Sequence, residues 1–160
     1  MSTVLLAVDA EHYAPEAAEL TGDLCRGTGD SVLVLHMHQY AIGRFGKLRV
    51  DCPQDEAEHR LPEIVAALQD AGISAEHEIH ETLMGNVAQA IVEVADQRDA
   101  RMIVVGSRRP TDLPPITIGS VSNKLLHLAK RPVLVVPHHY GASQHPEVPG
   151  TDQTAQPVAG

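Results

Sequence analysis

Short, largely apolar runs alternate with amphipathic helical patterns along most of the chain, and this alternation constrains the fold more than any other feature. The apolar runs cover residues 4–8, 31–35, 102–105 and 133–136, with a weaker, partly alternating run at 73–79. Such runs are typical of strands buried on both faces of a parallel sheet, and partial alternation is typical of an edge strand.

Between these runs, apolar residues recur at helical spacing in four segments. The predicted helices cover residues 15–24, 61–68, 87–95 and 121–128. The order βαβαβαβαβ predicts an α/β fold with a doubly wound parallel sheet and helices on both of its faces.

A chain of 160 residues is long enough for one domain with a sizeable core. We expect that domain to occupy residues 1–140. Residues 141–160 contain almost no core-forming side chains, which predicts a disordered C-terminal tail. Residues 40–55 are predicted to form an exposed loop, with a mobile flap as the alternative.

Composition narrows the range of partners. Aromatic residues make up 2% of the chain and the net charge is −9, which argues against nucleic acid and anionic membranes. The charge is unevenly distributed: residues 1–100 carry 18 acids and 6 bases, whereas residues 101–160 carry 3 acids and 6 bases. One basic region of an acidic protein could therefore receive a small anion.

The two cysteines show no metal-binding spacing, and the N-terminal segment lacks the basic region and long apolar core of a signal peptide. No stretch approaches the ~20 apolar residues of a membrane span. We therefore expect a soluble, cytoplasmic protein.

In a parallel sheet, a ligand crevice lies beyond the carboxyl ends of the strands. The residues that follow those ends include Asp9, Met37 and Gly106, and the stretch 119–122 opens the last helix. Glycine and hydroxyl groups at a helix N-terminus suit an anion. In the alternative interpretation, Ser120 only caps this helix and Gly106 only lets the chain turn.

The stretch VVGSRRPTDLPPITIGSVSNKLLHLAKRPVLVV resembles the nucleotide-binding loop of the universal stress protein family, whose pattern is G-x2-G-x9-G-[ST]. Gly106, Arg109, Gly119 and Ser120 occupy the four positions of that pattern, and three of them match. The resemblance extends to VLLAVDA and VLVLHMH and covers about residues 2–138.

This resemblance implies a Rossmann-like three-layer sandwich whose five parallel strands have the order 3-2-1-4-5. It also implies a stress-response regulator, frequently a homodimer paired through the last strand, Val133–Val136. ATP or a related adenine nucleotide, with Mg²⁺ as a possible companion, would bind between the first and fourth strands. The residues assigned to the nucleotide are Ala7, Asp9, Met37, Gly106, Arg109, Gly119, Ser120, Val121 and Ser122.

Arg109 stands where the family pattern has glycine. A left-handed conformation there costs a non-glycine residue roughly 1–2 kcal/mol, and the side chain could occupy phosphate space. Its guanidinium could equally form a charge-assisted pair with a phosphate. The alternative to nucleotide binding is thus a nucleotide-free dimeric interaction module of the same family.

His36 and His38 lie two residues apart on one face of a predicted strand. No HExxH or Cys/His set accompanies them, and a metal would need partners from distant segments, so the sequence predicts no metal site. No GxxxxGK[ST] or GxSxG motif is present, and no catalytic residues are predicted. Slow ATP hydrolysis is the only enzymatic alternative.

Overall fold

The fold is built around a short central strand that pairs on both sides. The computed structural model describes residues 1–51, 54–107 and 119–138, apart from the side chains of residues 54 and 55. The elements are β1 (Thr3–Ala7), α1 (Pro15–Thr28), β2 (Ser31–Gly43), β3 (Gly46–Arg49), α2 (Gln54–Asp70), β4 (Ala75–Leu83), α3 (Val87–Gln97), β5 (Ala100–Gly106), α4 (Ser120–Leu128) and β6 (Val133–Val136).

The sheet is mixed and has six strands. Its order is β3-β2-β1-β5-β6, and β4 also pairs with β2. The pairs β1–β2, β1–β5, β2–β4 and β5–β6 are parallel, whereas β2–β3 is antiparallel. As a description of the whole sheet, the prediction of five parallel strands in the order 3-2-1-4-5 is wrong, because β3 adds a sixth strand that is antiparallel. The five predicted strands themselves pair in parallel, through β4–β2, β2–β1, β1–β5 and β5–β6, and the α/β sandwich is confirmed.

The difference arises from the length of β2, which runs for 13 residues. Its first five residues pair with β1, and its last four pair with β3 through a two-residue turn at Arg44 and Phe45. Gly46 after the turn has a φ of 116°, a conformation that glycine adopts readily. The predicted exposed loop over residues 40–55 is thus wrong for residues 40–49, which form a hairpin.

Two cores lie on opposite faces of the sheet, because successive side chains of a strand point to opposite sides. Val4 and Leu6 of β1 belong to the core covered by α1 and α2. Leu5 and Ala7 belong to the core covered by α3 and α4. The four residues 4–7 of β1 therefore pack in both of the cores that lie between the sheet and its helices.

Each helix is longer than its predicted segment: α4 by a single residue at its start, and α2 at both ends, since it covers Gln54–Asp70. None of the helices in the described part of the chain is long and apolar enough to cross a membrane. The predicted disordered tail at residues 141–160 lies outside the described residues.

The amino-terminal edge of the sheet is tied together by the carboxylate of Asp30, which is buried. Its Oδ1 accepts a hydrogen bond from the Ser2 backbone N–H at 2.9 Å, and its Oδ2 accepts one from Thr28 Oγ1 at 2.7 Å. Arg101 Nη1 of β5 lies 2.9 Å from the same Oδ2. The Thr28 hydroxyl most strongly, then the Ser2 N–H and Arg101, hold the pKa of Asp30 below its ordinary value of 3.8.

We expect Asp30→Asn to lower the urea midpoint of unfolding at pH 7, because the folded state then loses a charged acceptor that three groups share. A depressed carboxyl pKa stabilises the folded state above the unfolded pKa of about 3.9, and that stabilisation is lost as the pH falls through the folded pKa. The difference in midpoint between the native chain and the variant should therefore shrink below about pH 4.

Asp23→Asn is the matched control, because Asp23 pairs with Arg26 on the exposed face of α1. Its effect at pH 7 should be within about 1 kcal/mol of zero. A midpoint difference for Asp30→Asn that is equally large at pH 7 and pH 3.5 would show that the ionised carboxylate of Asp30 is not what stabilises the folded state.

Candidate functional site

A cavity of about 350 Å³ opens beyond the carboxyl ends of β1 and β5. This volume lies at the lower end of the range that small-molecule sites occupy. The crevice is bounded by the loop after β1, the start of α1, the middle of β2 and the start of α4. It therefore lies where the geometry of parallel strands predicts a ligand site.

The structure brings nearly all of the predicted site residues to this crevice. The lining includes Ala7, Asp9, Met37, Gly106, Gly119, Ser120, Val121 and Ser122. Arg109, the ninth predicted residue, lies outside the described residues. Residues up to 115 positions apart in the chain thus meet at one cavity, because the strands that precede them are adjacent in the sheet.

The first turn of α4 forms one wall of the crevice. Gly119 is the N-cap, with φ −57° and ψ 155°, and it has no side chain with which to cap the helix. The first N–H groups of a helix have no partner within it and carry a partial positive charge. The exposed Ser120 adds a hydroxyl to this wall.

Ser122 has a structural role in the same turn. It is 2% exposed, and its Oγ donates a hydrogen bond to the Gly106 carbonyl at 3.4 Å, which ties α4 to the end of β5. Gly106 itself does not have a left-handed φ, and a Cβ there would make ordinary contact with Ala14 at 3.5 Å. The backbone conformation at position 106 therefore does not require glycine.

Asp9 organises the loop that follows β1. Its Oδ1 accepts hydrogen bonds from the backbone N–H groups of Glu11 at 3.1 Å and His12 at 3.4 Å. Next to this loop, burial raises the pKa of Tyr13 above 10.0, so its phenol is a neutral hydrogen-bonding group in the crevice. Asp9 thus shapes the mouth of the crevice as well as lining it.

The part of the crevice wall that β2 forms beyond Met37 was not predicted from the sequence. His36 and Asp51 also line the crevice, and Asp51 follows the end of the β3 strand. The Nδ1 of His36 lies 2.9 Å from the Val8 carbonyl oxygen, and because a carbonyl only accepts, Nδ1 carries the hydrogen. Burial lowers the pKa of His36 below its ordinary value of 6.5, so the ring is neutral at pH 7.

Asp51 lies between two histidines. Its Oδ2 is 3.0 Å from His38 Nδ1 and 3.6 Å from His36 Nε2, and all three side chains are at most 9% exposed. Within the described part of the chain, this is the group of side chains whose donor atoms could hold a metal ion. No local pattern in the sequence signals it, because Asp51 lies in the segment that was predicted to be a loop.

Comparison with known proteins gives a consistent result. The model of the Universal stress protein family matches residues 1–137. A universal stress protein of Thermus aquaticus is 28% identical over 135 residues, which cover 84% of this chain and 97% of that protein. One from Methanocaldococcus jannaschii is 30% identical over 82 residues, covering 51% of this chain and 49% of that protein. A relative from Mycolicibacterium smegmatis is covered over only 30% of its length.

Solved structures of similar fold include a universal stress protein from Archaeoglobus fulgidus, with a TM-score of 0.69, 24% identity, and coverage of 85% of this chain and 98% of that one. The Archaeoglobus protein in complex with dAMP gives a TM-score of 0.63 at 23% identity, with the same coverage of both chains. A universal stress protein in complex with cAMP gives 0.62 at 21%, covering 86% of this chain and 97% of that one. These likenesses establish the fold, and the family match over most of the chain establishes more: the chain belongs to the universal stress protein family.

Proposed function

We propose that this protein is a stress-response regulator that binds an adenine nucleotide, ATP in the first instance, in the crevice between β1 and β5. The observation that carries the proposal is the convergence of eight predicted ligand residues on one cavity at the N-terminus of α4. Similar proteins whose structures hold dAMP and cAMP support the same ligand class.

The polarity of the crevice orients the nucleotide. Asp9, Glu11 and Asp51 line one part of it, and carboxylates accept hydrogen bonds from ribose hydroxyls and an adenine amine but repel phosphates. Gly119 and Ser120 line another part, where helix N–H groups favour negative charge. The adenosine part would therefore lie toward β1 and β2, and the phosphates toward α4.

Arg109 would supply the missing positive charge. Among the described residues that line the cavity, there is no lysine or arginine. Arg109 comes two residues after Ser107, which is a lining residue, and a guanidinium is well suited to a charge-assisted pair with a phosphate. Mg²⁺, if it accompanies ATP, would reduce the same need for positive charge.

The second candidate is a nucleotide-free dimeric module, and the acidic lining of the crevice favours it. In this interpretation Ser122 and Asp9 only join elements of the fold, as their hydrogen bonds already do. We also propose a cytoplasmic location, because a chain with two cysteines and no disulfide-rich spacing does not depend on an oxidising compartment for its stability. Catalysis is not part of either proposal.

We expect calorimetric titration with Mg·ATP to give saturable binding of one nucleotide per chain. Gly119→Glu should weaken binding about a hundredfold or more, because it places a carboxylate beside the phosphates. The backbone at Gly119 allows any residue, so the variant should fold. Arg109→Ala should weaken ATP binding more than adenosine binding.

Gly27→Glu is the matched control, since Gly27 is an exposed helical residue with open space around it. It introduces the same charge away from the crevice and should leave the affinity unchanged. No heat with the wild-type protein, together with no nucleotide released when purified protein is denatured, would refute nucleotide binding and favour the second candidate.

The two outer strands of the sheet differ in a way that supports a homodimer through β6. Among the described strands, β6 pairs only with β5, and its sequence VLVV is wholly aliphatic. β4 pairs only with β2 and carries charged or titratable side chains at five of its nine positions, which discourages edge pairing. We therefore propose that β6 forms the contact between two copies.

Light scattering should give about twice the chain mass of 17.2 kDa. Leu134→Lys on β6 should shift the protein to monomer, whereas Ile79→Lys on β4 should not. Both side chains are partly buried against the same core, so the two substitutions should lower the free energy of unfolding by similar amounts. A wild-type monomer at all concentrations tested, or equal behaviour of the two variants, would contradict a β6 interface.

A further inference from the structure

The buried cluster of His36, His38 and Asp51, which we call the His-His-Asp cluster, carries an inference beyond nucleotide binding. Two side chains project from β2, and the third comes from the chain just after β3. One donor atom from each of the three lies within 4.8 Å of the other two. We propose that the His-His-Asp cluster is a binding site for a divalent transition-metal ion of the Zn²⁺ class.

The spacing of the donor atoms fits four-coordinate zinc. Metal–ligand distances of about 2.0–2.1 Å in a tetrahedron place the donor atoms about 3.3 Å apart. The distances from Asp51 Oδ2, 3.0 Å to His38 Nδ1 and 3.6 Å to His36 Nε2, lie on either side of that value. The third pair, between the two histidines, lies within 4.8 Å, so metal binding would draw the two rings closer together.

The hydrogen bond between His36 and Val8 already suits a metal ligand. Because Nδ1 donates to the Val8 carbonyl, Nε2, the nitrogen that faces Asp51, is the one placed to bind a metal. A metal-binding histidine usually donates its second N–H to a carbonyl or carboxylate, which fixes the tautomer and the ring orientation. Val8 provides this contact from the residue after β1.

Unsatisfied polar atoms give a second, independent reason. Asp51 Oδ1 and His38 Nε2 are buried without a hydrogen-bond partner. Polar atoms buried without a partner cost free energy, and a bound cation would neutralise the buried Asp51 carboxylate, which could bind it through Oδ1 as well as Oδ2. His38 would bind through Nδ1, and its Nε2 would carry the hydrogen. The nearby positive charges of Lys47 and Arg49 face Glu81, which lies on β4 beside His38.

Three protein ligands leave one coordination position for a water or an exogenous donor. His36 and Asp51 also line the crevice, so this fourth ligand would come from the crevice. Imidazole and carboxylate ligands suit Zn²⁺, Co²⁺ and Ni²⁺ better than Mg²⁺, so the proposed ion is distinct from one that accompanies nucleotide phosphates.

The test is a titration of chelator-treated, nucleotide-free protein with Zn²⁺ alone. We expect one tight site per chain, which His38→Asn and Asp51→Asn should each weaken by about tenfold or more. Asn at position 38 retains an N–H for Asp51, and Asn at position 51 retains the side-chain shape, so both variants should fold. Circular dichroism checks that they do.

The control is His80→Asn. His80 Nε2 lies 2.8 Å from Glu78 Oε2, which makes it another histidine–carboxylate pair, but its side chain is 41% exposed. His80→Asn should leave the Zn²⁺ affinity within about twofold of the native value, since this exposed histidine–carboxylate pair lacks a third ligand. The chain has 10 histidines, so this comparison separates the cluster from general histidine binding.

Co²⁺ provides a second measurement that does not depend on the variants. Co²⁺ at the His-His-Asp cluster should show the strong visible absorption of a four-coordinate ion, and Zn²⁺ should displace it. The proposal fails if Zn²⁺ does not bind, if His38→Asn and Asp51→Asn bind it as tightly as the native protein, or if Co²⁺ shows only the weak spectrum of its hydrated form. Because no nucleotide is present, failure here leaves the proposed nucleotide function untouched.

Discussion

The pairing of β1 on both sides is the constraint on which the rest of the structure depends. Its five residues bind β2 through one edge and β5 through the other, and its side chains alternate between the two cores. α1, which follows β1 in the chain, packs on one face of the sheet, and α4, which comes after β5, packs on the other face. The loops after β1 and β5 must diverge at the carboxyl ends of these strands toward different faces, and the crevice is the space between them.

The β2–β3 hairpin gives this crevice a wall that a five-stranded parallel sheet would lack. β2 continues for eight residues beyond its last pairing with β1, and β3 returns along this extension. The return brings Asp51 back beside His36 and His38, and the carboxylate binds the hairpin to the strand. One structural feature therefore accounts for the mixed sheet, the presence of Asp51 in the crevice and the His-His-Asp cluster.

The acidic and basic parts of the chain lie on different sides of the crevice. The carboxylate side of the crevice comes from the acidic N-terminal part of the chain, through Asp9, Glu11 and Asp51. Its other side is the first turn of α4, which belongs to the basic C-terminal part. An overall acidic protein can therefore present a site with both a carboxylate end and an N–H end. That polarity suits a nucleotide better than a polyanion.

Much of the fold could be predicted because its signals are local. Buried strands such as Val133–Val136 show as aliphatic runs, and the stripe of α3 shows as helical periodicity. The presence of Asp9 and Gly119 at one crevice could also be predicted, since the carboxyl ends of parallel strands share one edge of the sheet. For Gly106 the alternative interpretation, that it only lets the chain turn, is wrong, because its backbone does not adopt a conformation that requires glycine. An added Cβ would make only an ordinary contact with Ala14.

What the sequence by itself determined is thus the alternation of strands and helices and the edge of the sheet where the site lies, because periodicity and chain order carry that information. Only the tertiary structure decided that β2 continues into a hairpin and that Asp51 meets two histidines. Exposed residues such as Ile42 and Leu48 in that hairpin carry no burial pattern to mark it as strand. The contact between His38 and Asp51 depends on the register of β2 with β3 and on the turn geometry at Gly46, which together determine which residues of the two strands face each other.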